Sequence, residues 1–252
     1  MYLVDLRLRN RKDHMAKKIK KVIKILLIIV LILLVAGAIY LFTGKNMDSA
    51  SDSVEKGTKN TKTLVVYFSR QGEIPGDNDA VSAATKSSNG TSQSDTRAAA
   101  KMIQKATGAD LYQIKTKKYY RKSFMGTAAK AWIEERLNQR PQLAAKLKNL
   151  DQYDTIYVGY PIWWFQAPMA VGTFLESYDL SGKTVIPFCT SQDNDIDVSM
   201  DYIKKAAKGA NILDGKRIHE ASQSEVAQWI DQISKKNSEN NKISSDKRQS
   251  DI

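Results

Sequence analysis

The chain has 252 residues, 42% apolar and 26% charged, with a formal net charge of +12; that composition excludes a wholly disordered polypeptide and suits one ordinary domain with appendages. One cysteine excludes an intramolecular disulfide, and with only two histidines a Cys/His zinc site is excluded as well. The positive charge points to nucleic acid only if it clusters on the folded part, so its location matters first.

In chain order, residues 1–24 hold nine Lys/Arg, from Arg7 to Lys24, against Asp5 and Asp13. This basic flank precedes Ile25 to Phe42, a run without a single charge. As a helix, residues 25–42 extend ~27 Å, close to the hydrocarbon thickness of a bilayer, and read as one transmembrane helix or uncleaved signal anchor. A basic flank keeps the N-terminus in the cytoplasm, which predicts a single-pass protein of the cell membrane with its domain extracellular. The alternative is a cleaved signal peptide and a secreted domain, since Ala36-Gly37-Ala38 is an A-x-A site after the apolar stretch Ile25 to Val35. Continuation of the apolar run through Ile39, Tyr40, Leu41 and Phe42 favours the anchor. Outside residues 1–24 and 235–252 the net charge is only +3, so no nucleic-acid partner is expected.

Residues 43–62 are polar and aperiodic and read as a flexible linker; residues 235–252 read as a disordered polar tail. The segment 63–234 alternates strand and helix signals. Thr63 to Phe68 is a continuous β-branched and aromatic run, as in a strand buried on both faces. Residues 74–93 are rich in Ser, Thr, Asn, Asp and Gly and read as a mobile surface insertion. Ser94/Asp95 cap a helix that Gly108 stops, and Asp110 to Ile114 is a short strand. A helix over Met125 to Asn138 comes before Pro141, and Thr155 to Val158 is a further strand. Pro168 opens a helix carrying Val171, Phe174, Leu175 and Tyr178, and Thr184 to Cys189 is the fourth strand, its far end weakened by Pro187. Val198 to Lys208 is helical, Asn211 to Ile218 supplies a fifth strand, and Ser222-Gln-Ser-Glu225 is a capping box before a last helix. Five strands alternating with helices predict an α/β fold, a parallel sheet covered on both sides.

In such sheets ligands bind beyond the carboxyl ends of the strands. The loop after the first strand opens Ser69-Arg70-Gln71-Gly72-Glu73, that after the third carries Pro161-Ile162-Trp163-Trp164, and that after the fourth carries Thr190-Ser191-Gln192-Asp193. The first offers hydroxyl and N–H donors near a helix N-terminus, where phosphate binds well. The second offers adjacent tryptophans, which are either core residues or a platform for something flat. Cys189, at a strand end, reads as a small buried hydrophobe, and His219 has no recognisable partner. No Ser-His-Asp set, Walker loop or metal motif is present, so no catalytic side chain is assigned.

Tyr67 to Glu73, Gly159 to Trp164 and Ser181 to Thr190, in this order, resemble the flavodoxin family, and the likeness runs from about Thr63 to Ile218. It implies a flavodoxin-like three-layer sandwich with a five-stranded parallel sheet in the order 2-1-3-4-5, holding FMN non-covalently. By that resemblance Ser69, Arg70, Gln71 and Thr96 surround the phosphate, with the N–H groups of Thr96 and Arg97. Trp163 or Trp164 stacks on the isoalloxazine ring, Pro161 and Ile162 shape the loop, and Thr190, Ser191, Gln192 and Asp193 frame the opposite side. The acidic run Gln192 to Asp197 departs from the small residues and glycines usual in the family. The implied function is a membrane-tethered flavoprotein passing electrons to a redox partner protein or a small-molecule acceptor; the alternative is an interaction module that kept the fold and lost the flavin.

Overall fold

The computed structural model describes residues 2–42, 53–70, 95–120, 123–191, 193–218 and 222–250. Residues 43–52 of the expected linker, the insertion at 74–93, and the site candidates Gln71 and Gln192 lie outside them. The chain divides into two compact units, Met1–Gly44 and Lys45–Ile252.

The first unit is one helix, α1 (Tyr2–Phe42), so the basic flank and the apolar run share a single element. Helix-forming Leu, Ile, Lys and Arg dominate it, and no glycine or proline interrupts it before Gly37. Its stretch His14–Tyr40 is long and apolar enough to cross a membrane.

The second unit is built on β1 (Thr63–Phe68), β2 (Asp110–Ile114), β3 (Thr155–Pro161), β4 (Thr184–Thr190), β5 (Asn211–Ile212) and β6 (Lys216–Arg217). Among the described residues five α-helices accompany them: α2 (Asp95–Thr107), α3 (Phe124–Arg136), α4 (Met169–Glu176), α5 (Asp197–Ala206) and α6 (Gln223–Ser250). The pairings among these strands are parallel and the order is β2-β1-β3-β4-β5, with β6 also on β4. Side chains alternate across a strand, so Leu64, Val66 and Phe68 join one buried cluster while Val65 and Tyr67 join another. The first cluster includes Val171 and Phe174 of α4 and Ile203 of α5, the second Ile103 of α2 and Trp229 of α6. The sheet is therefore the middle of three layers.

The fifth strand is not continuous, and Pro187 explains why. The carbonyls of Lys183, Val185 and Cys189 accept from the N–H groups of Asn211, Leu213 and Ile218. In that odd-numbered series Pro187 is the residue without an N–H to offer. The neighbouring strand parts opposite it, between Ile212 and Lys216, while β4 itself runs on to Thr190.

Two expectations at the ends of the domain are corrected. Residues 53–62, assigned to the linker, lie against the domain: Glu55 makes an antiparallel bridge with Leu111, shielding an edge strand. Asp110 fastens this segment, accepting from Gly57 N at 2.8 Å, Lys56 Nζ at 2.8 Å and the Tyr153 hydroxyl at 2.6 Å. Glycine is required at 57 because a Cβ there would stand 2.0 Å from the Gly108 carbonyl oxygen. At the other end, the residues expected as a disordered tail continue α6 to Ser250, since neither glycine nor proline occurs there to stop the helix.

Candidate functional site

The register aligns the site. Tyr67 pairs with Gly159, and Gly159 with Phe188, so two residues further on Ser69, Pro161 and Thr190 fall in one row across the carboxyl edge. Ser69, Arg70, Thr96, Thr190 and Ser191 are all buried although polar. The hydroxyls of Thr96 and Thr190 lie 2.6 Å apart, tying the first turn of α2 to the end of β4. Ile162 N donates to the Thr190 carbonyl at 3.1 Å, extending the ladder one step past β3. A buried guanidinium, several hydroxyls and the N–H groups of a helix start are a donor set for an anion. The residues present thus fit the phosphate end of a flavin nucleotide.

Beyond Ile162 the chain reverses in two residues. Trp163 N donates to the Gln166 carbonyl at 2.9 Å, and Gln166 N returns the bond to Trp163 at 3.1 Å. The two residues between, Trp164 and Phe165, have φ of 49° and 65°. A turn with positive φ at both central positions ordinarily takes Asn-Gly, and each other side chain there costs about 1–2 kcal/mol. Strain of this kind clusters at ligand clamps. It divides the tryptophans: Trp163 is 9% exposed and Trp164 46%.

Trp163 is a core residue, meeting Phe68 at 5.4 Å and Tyr120 at 5.2 Å, both edge to face. Trp164 stands outside, its Nε1 donating to the Ala128 carbonyl of α3 at 2.9 Å. Of the two, Trp164 is the one with a face to offer a flat ligand. Phe165 and Met125 are exposed as well.

On the far side of the row, Ser191 Oγ accepts from Asn194 N at 2.9 Å, and Asp195 Oδ1 accepts from Ile196 N at 2.6 Å. These bonds set the acidic loop, with Asp193 exposed. Burial, with Asp195 adding and Arg217 opposing, pushes the Cys189 thiol up to about 12. A thiol so placed stays protonated at neutral pH and is no nucleophile. Among the described residues no group of His, Cys, Asp and Glu could hold a metal ion.

Three residues without a sequence assignment form a buried polar cluster behind the turn. The Tyr120 hydroxyl donates to Glu134 Oε2 at 2.7 Å, and Lys130 Nζ is 3.7 Å from Glu134 Oε1. Burial pushes the Glu134 carboxyl above its usual range, opposed by the Lys130 charge and the Tyr120 hydrogen bond. The signal in the sequence was Lys130 and Glu134 at i, i+4 on one face of a helix capped by Ser123, whose side chain accepts from Gly126 N.

With this geometry in hand, a family profile described as flavodoxin matches residues 62–233. A Bacteroides uniformis protein described as a putative flavoprotein is 35% identical, with a TM-score of 0.55, over 69% of this chain and 99% of that one. A second, from Bacteroides eggerthii, is 30% identical with a TM-score of 0.56 over the same shares of 69% and 99%. A flavoprotein of Lactobacillus acidophilus, solved in complex with FMN, is 20% identical over 67% of this chain and 98% of that one, and shares the fold with a TM-score of 0.51. None of the curated proteins matches the sequence.

Proposed function

This chain belongs to the flavodoxin family, and on that premise we propose that it holds FMN non-covalently at the carboxyl edge of its sheet and transfers electrons beside a membrane. The observation that carries the proposal is the row Ser69–Pro161–Thr190, with the buried Arg70 beside it and the exposed ring of Trp164 held in a strained turn. The two neighbours described as putative flavoproteins, at 35% and 30% identity, and the fold neighbour solved with FMN support the choice of ligand.

When bound, the cofactor supplies the redox chemistry. The chain's own residues bind and orient. The Ser69 and Thr96 hydroxyls, Gln71 and the N–H groups of Thr96 and Arg97 hold the phosphate, and Arg70 supplies positive charge next to it. Trp164 would offer its ring to the flat part of the cofactor, on a loop that Pro161 and Ile162 shape, and Thr190, Ser191, Gln192 and Asp193 would frame the opposite side. No side chain is asked to act as acid or base, in keeping with the absence of such a set from the sequence. The acceptor is a redox partner protein or a small molecule reaching an open ring edge. α1 anchors the protein, its basic flank cytoplasmic and the domain outside.

A second reading, a flavodoxin-fold interaction module without flavin, is favoured by Asp193 and Asp195 on the loop after β4 and Asp197 at the start of α5, where added negative charge opposes an electron-rich ring. One experiment separates the two. The full chain is solubilised in detergent, incubated with excess FMN, desalted, and its visible absorbance and flavin content recorded. Equimolar bound flavin is expected. A colourless protein that never quenches FMN fluorescence overturns the redox reading and leaves the module.

A further inference from the structure

The cluster behind the turn is more than core. Tyr120, Lys130 and Glu134 are buried, with the Lys130 ammonium 4.2 Å from the centre of the Tyr120 ring. That ring meets Trp163 edge-on at 5.2 Å and Phe68, the residue before Ser69, at 5.9 Å. The helix that carries Lys130 and Glu134 also carries Ala128, whose carbonyl accepts from Trp164. Both tryptophans are therefore set from α3, Trp163 through the Tyr120 ring and Trp164 through the backbone.

A buried ion pair is a poor device for stability alone, because well-packed apolar residues of similar volume often serve as well or better. What it supplies here is direction. A carboxylate at 134 fixes the Tyr120 hydroxyl, and with it the plane of a ring that an apolar neighbour would leave free to tilt. The Tyr202 hydroxyl on α5 interacts with the Glu134 charge, and Arg140, in the segment after α3, lies 5.9 Å from the Tyr202 ring while pairing with Glu176 at the end of α4.

We propose that Glu134, seated by Lys130, is a positioning residue for the ligand-facing turn: through the Tyr120 ring it holds Trp163, and so presents Trp164, before the ligand arrives. The inference rests on the FMN reading for the identity of the ligand, and it names the group that pre-organises that site.

The test uses the full chain in detergent, labelled with 5-fluorotryptophan, with resonances assigned by single Trp→Phe variants. Three changes are compared: Tyr120→Phe, which removes only the hydroxyl; the double change Lys130→Met with Glu134→Leu, which keeps an apolar core; and Glu134→Gln, which keeps an acceptor. In FMN-free protein the first two are expected to shift and broaden the fluorine signals of Trp163 and Trp164, while that of Trp229, on the opposite face of the sheet, stays in place. FMN binding should weaken at least tenfold in both, and Glu134→Gln should restore it to within about threefold. Unmoved Trp163 and Trp164 signals in a folded Tyr120→Phe protein overturn the inference, as does unchanged FMN affinity alongside moved signals. Should the double variant fail to fold, Tyr120→Phe decides alone. A wild-type protein that binds no FMN removes the cofactor reading, and the fluorine spectra still decide whether Glu134 sets the turn.

Discussion

Replacing Trp164-Phe165 by Asn-Gly should make the protein more stable and a worse flavin binder. The present turn holds two aromatic residues at φ of 49° and 65°, at about 1–2 kcal/mol each. Asn tolerates this region and Gly adopts it freely, but Gly costs roughly 0.5–1 kcal/mol in backbone entropy. The change also loses the Trp164 bond to Ala128, about 0.5–1.5 kcal/mol, and the contacts of two exposed rings. The balance is a gain of about 1 kcal/mol, or a rise of about 2–4 °C in Tm for a domain of this size. Stacking of a flat base on an aromatic side chain is typically worth about 1–3 kcal/mol, so FMN affinity should fall between about 5- and 150-fold. Calorimetry of the free protein and fluorescence titration with FMN measure the two effects. Trp164→Ala is the control that removes the ring and keeps the penalty, so it should lose affinity without gaining stability. Wild-type affinity in the Asn-Gly variant would show that the ring does not lie on Trp164. A lower Tm would show that the turn is not strained.

Other expectations follow from the same geometry. Asp110→Ala leaves the buried Tyr153 hydroxyl and Gly57 N without their acceptor and should cost about 2–3 kcal/mol by denaturant titration. Burial raises the Asp110 carboxyl, but bonds from Lys56, Tyr153 and Gly57 outweigh it and hold it below the usual carboxylate range. A depressed folded value means stability fully present above the unfolded value near ~4 and lost as pH falls through the folded one. The gap between wild type and Asp110→Ala should therefore be constant from pH 5 to 8, in order of magnitude, and shrink in stronger acid. Cys189 should resist a neutral thiol reagent in the native protein and react only on unfolding, because it is buried and its thiol is pushed up to about 12. Protease added to intact cells should remove the second unit and leave α1; full protection would reverse the proposed orientation.

The strands were legible where burial on both faces leaves a continuous β-branched and aromatic run. Thr63–Phe68 and Asp110–Ile114 begin and end where their residue types change. What the sequence could not show is what a strand's neighbour must do. Pro187 reads as a threat to its own strand, yet the missing N–H is felt across the ladder, where β5 and β6 part. Residues 53–62 look like linker because nothing in them is apolar or periodic except Val54. Their order comes from Asp110 and the Leu111 backbone, about 50 residues on, and composition carries no trace of such pairings.

The site shows the same limit more sharply. Motif reading brought Ser69, Pro161 and Thr190 to one edge, because strand ends in a parallel sheet share a level. It could not divide Trp163 from Trp164. Strand alternation would place adjacent residues on opposite faces, but after Ile162 the strand has ended and two positive φ values decide instead. Those values are unfavourable for the residues that adopt them, so local propensity argues against the turn that is present. Only the far partners make it tenable: Tyr120 and Phe68 around Trp163, and the Ala128 carbonyl for Trp164. The exposed ring is thus held by its buried neighbour. If Glu134 positions the turn as proposed, a sequence that keeps both tryptophans but loses the Tyr120 hydroxyl or its acceptor at 134 would preserve every motif of the loop and lose its arrangement.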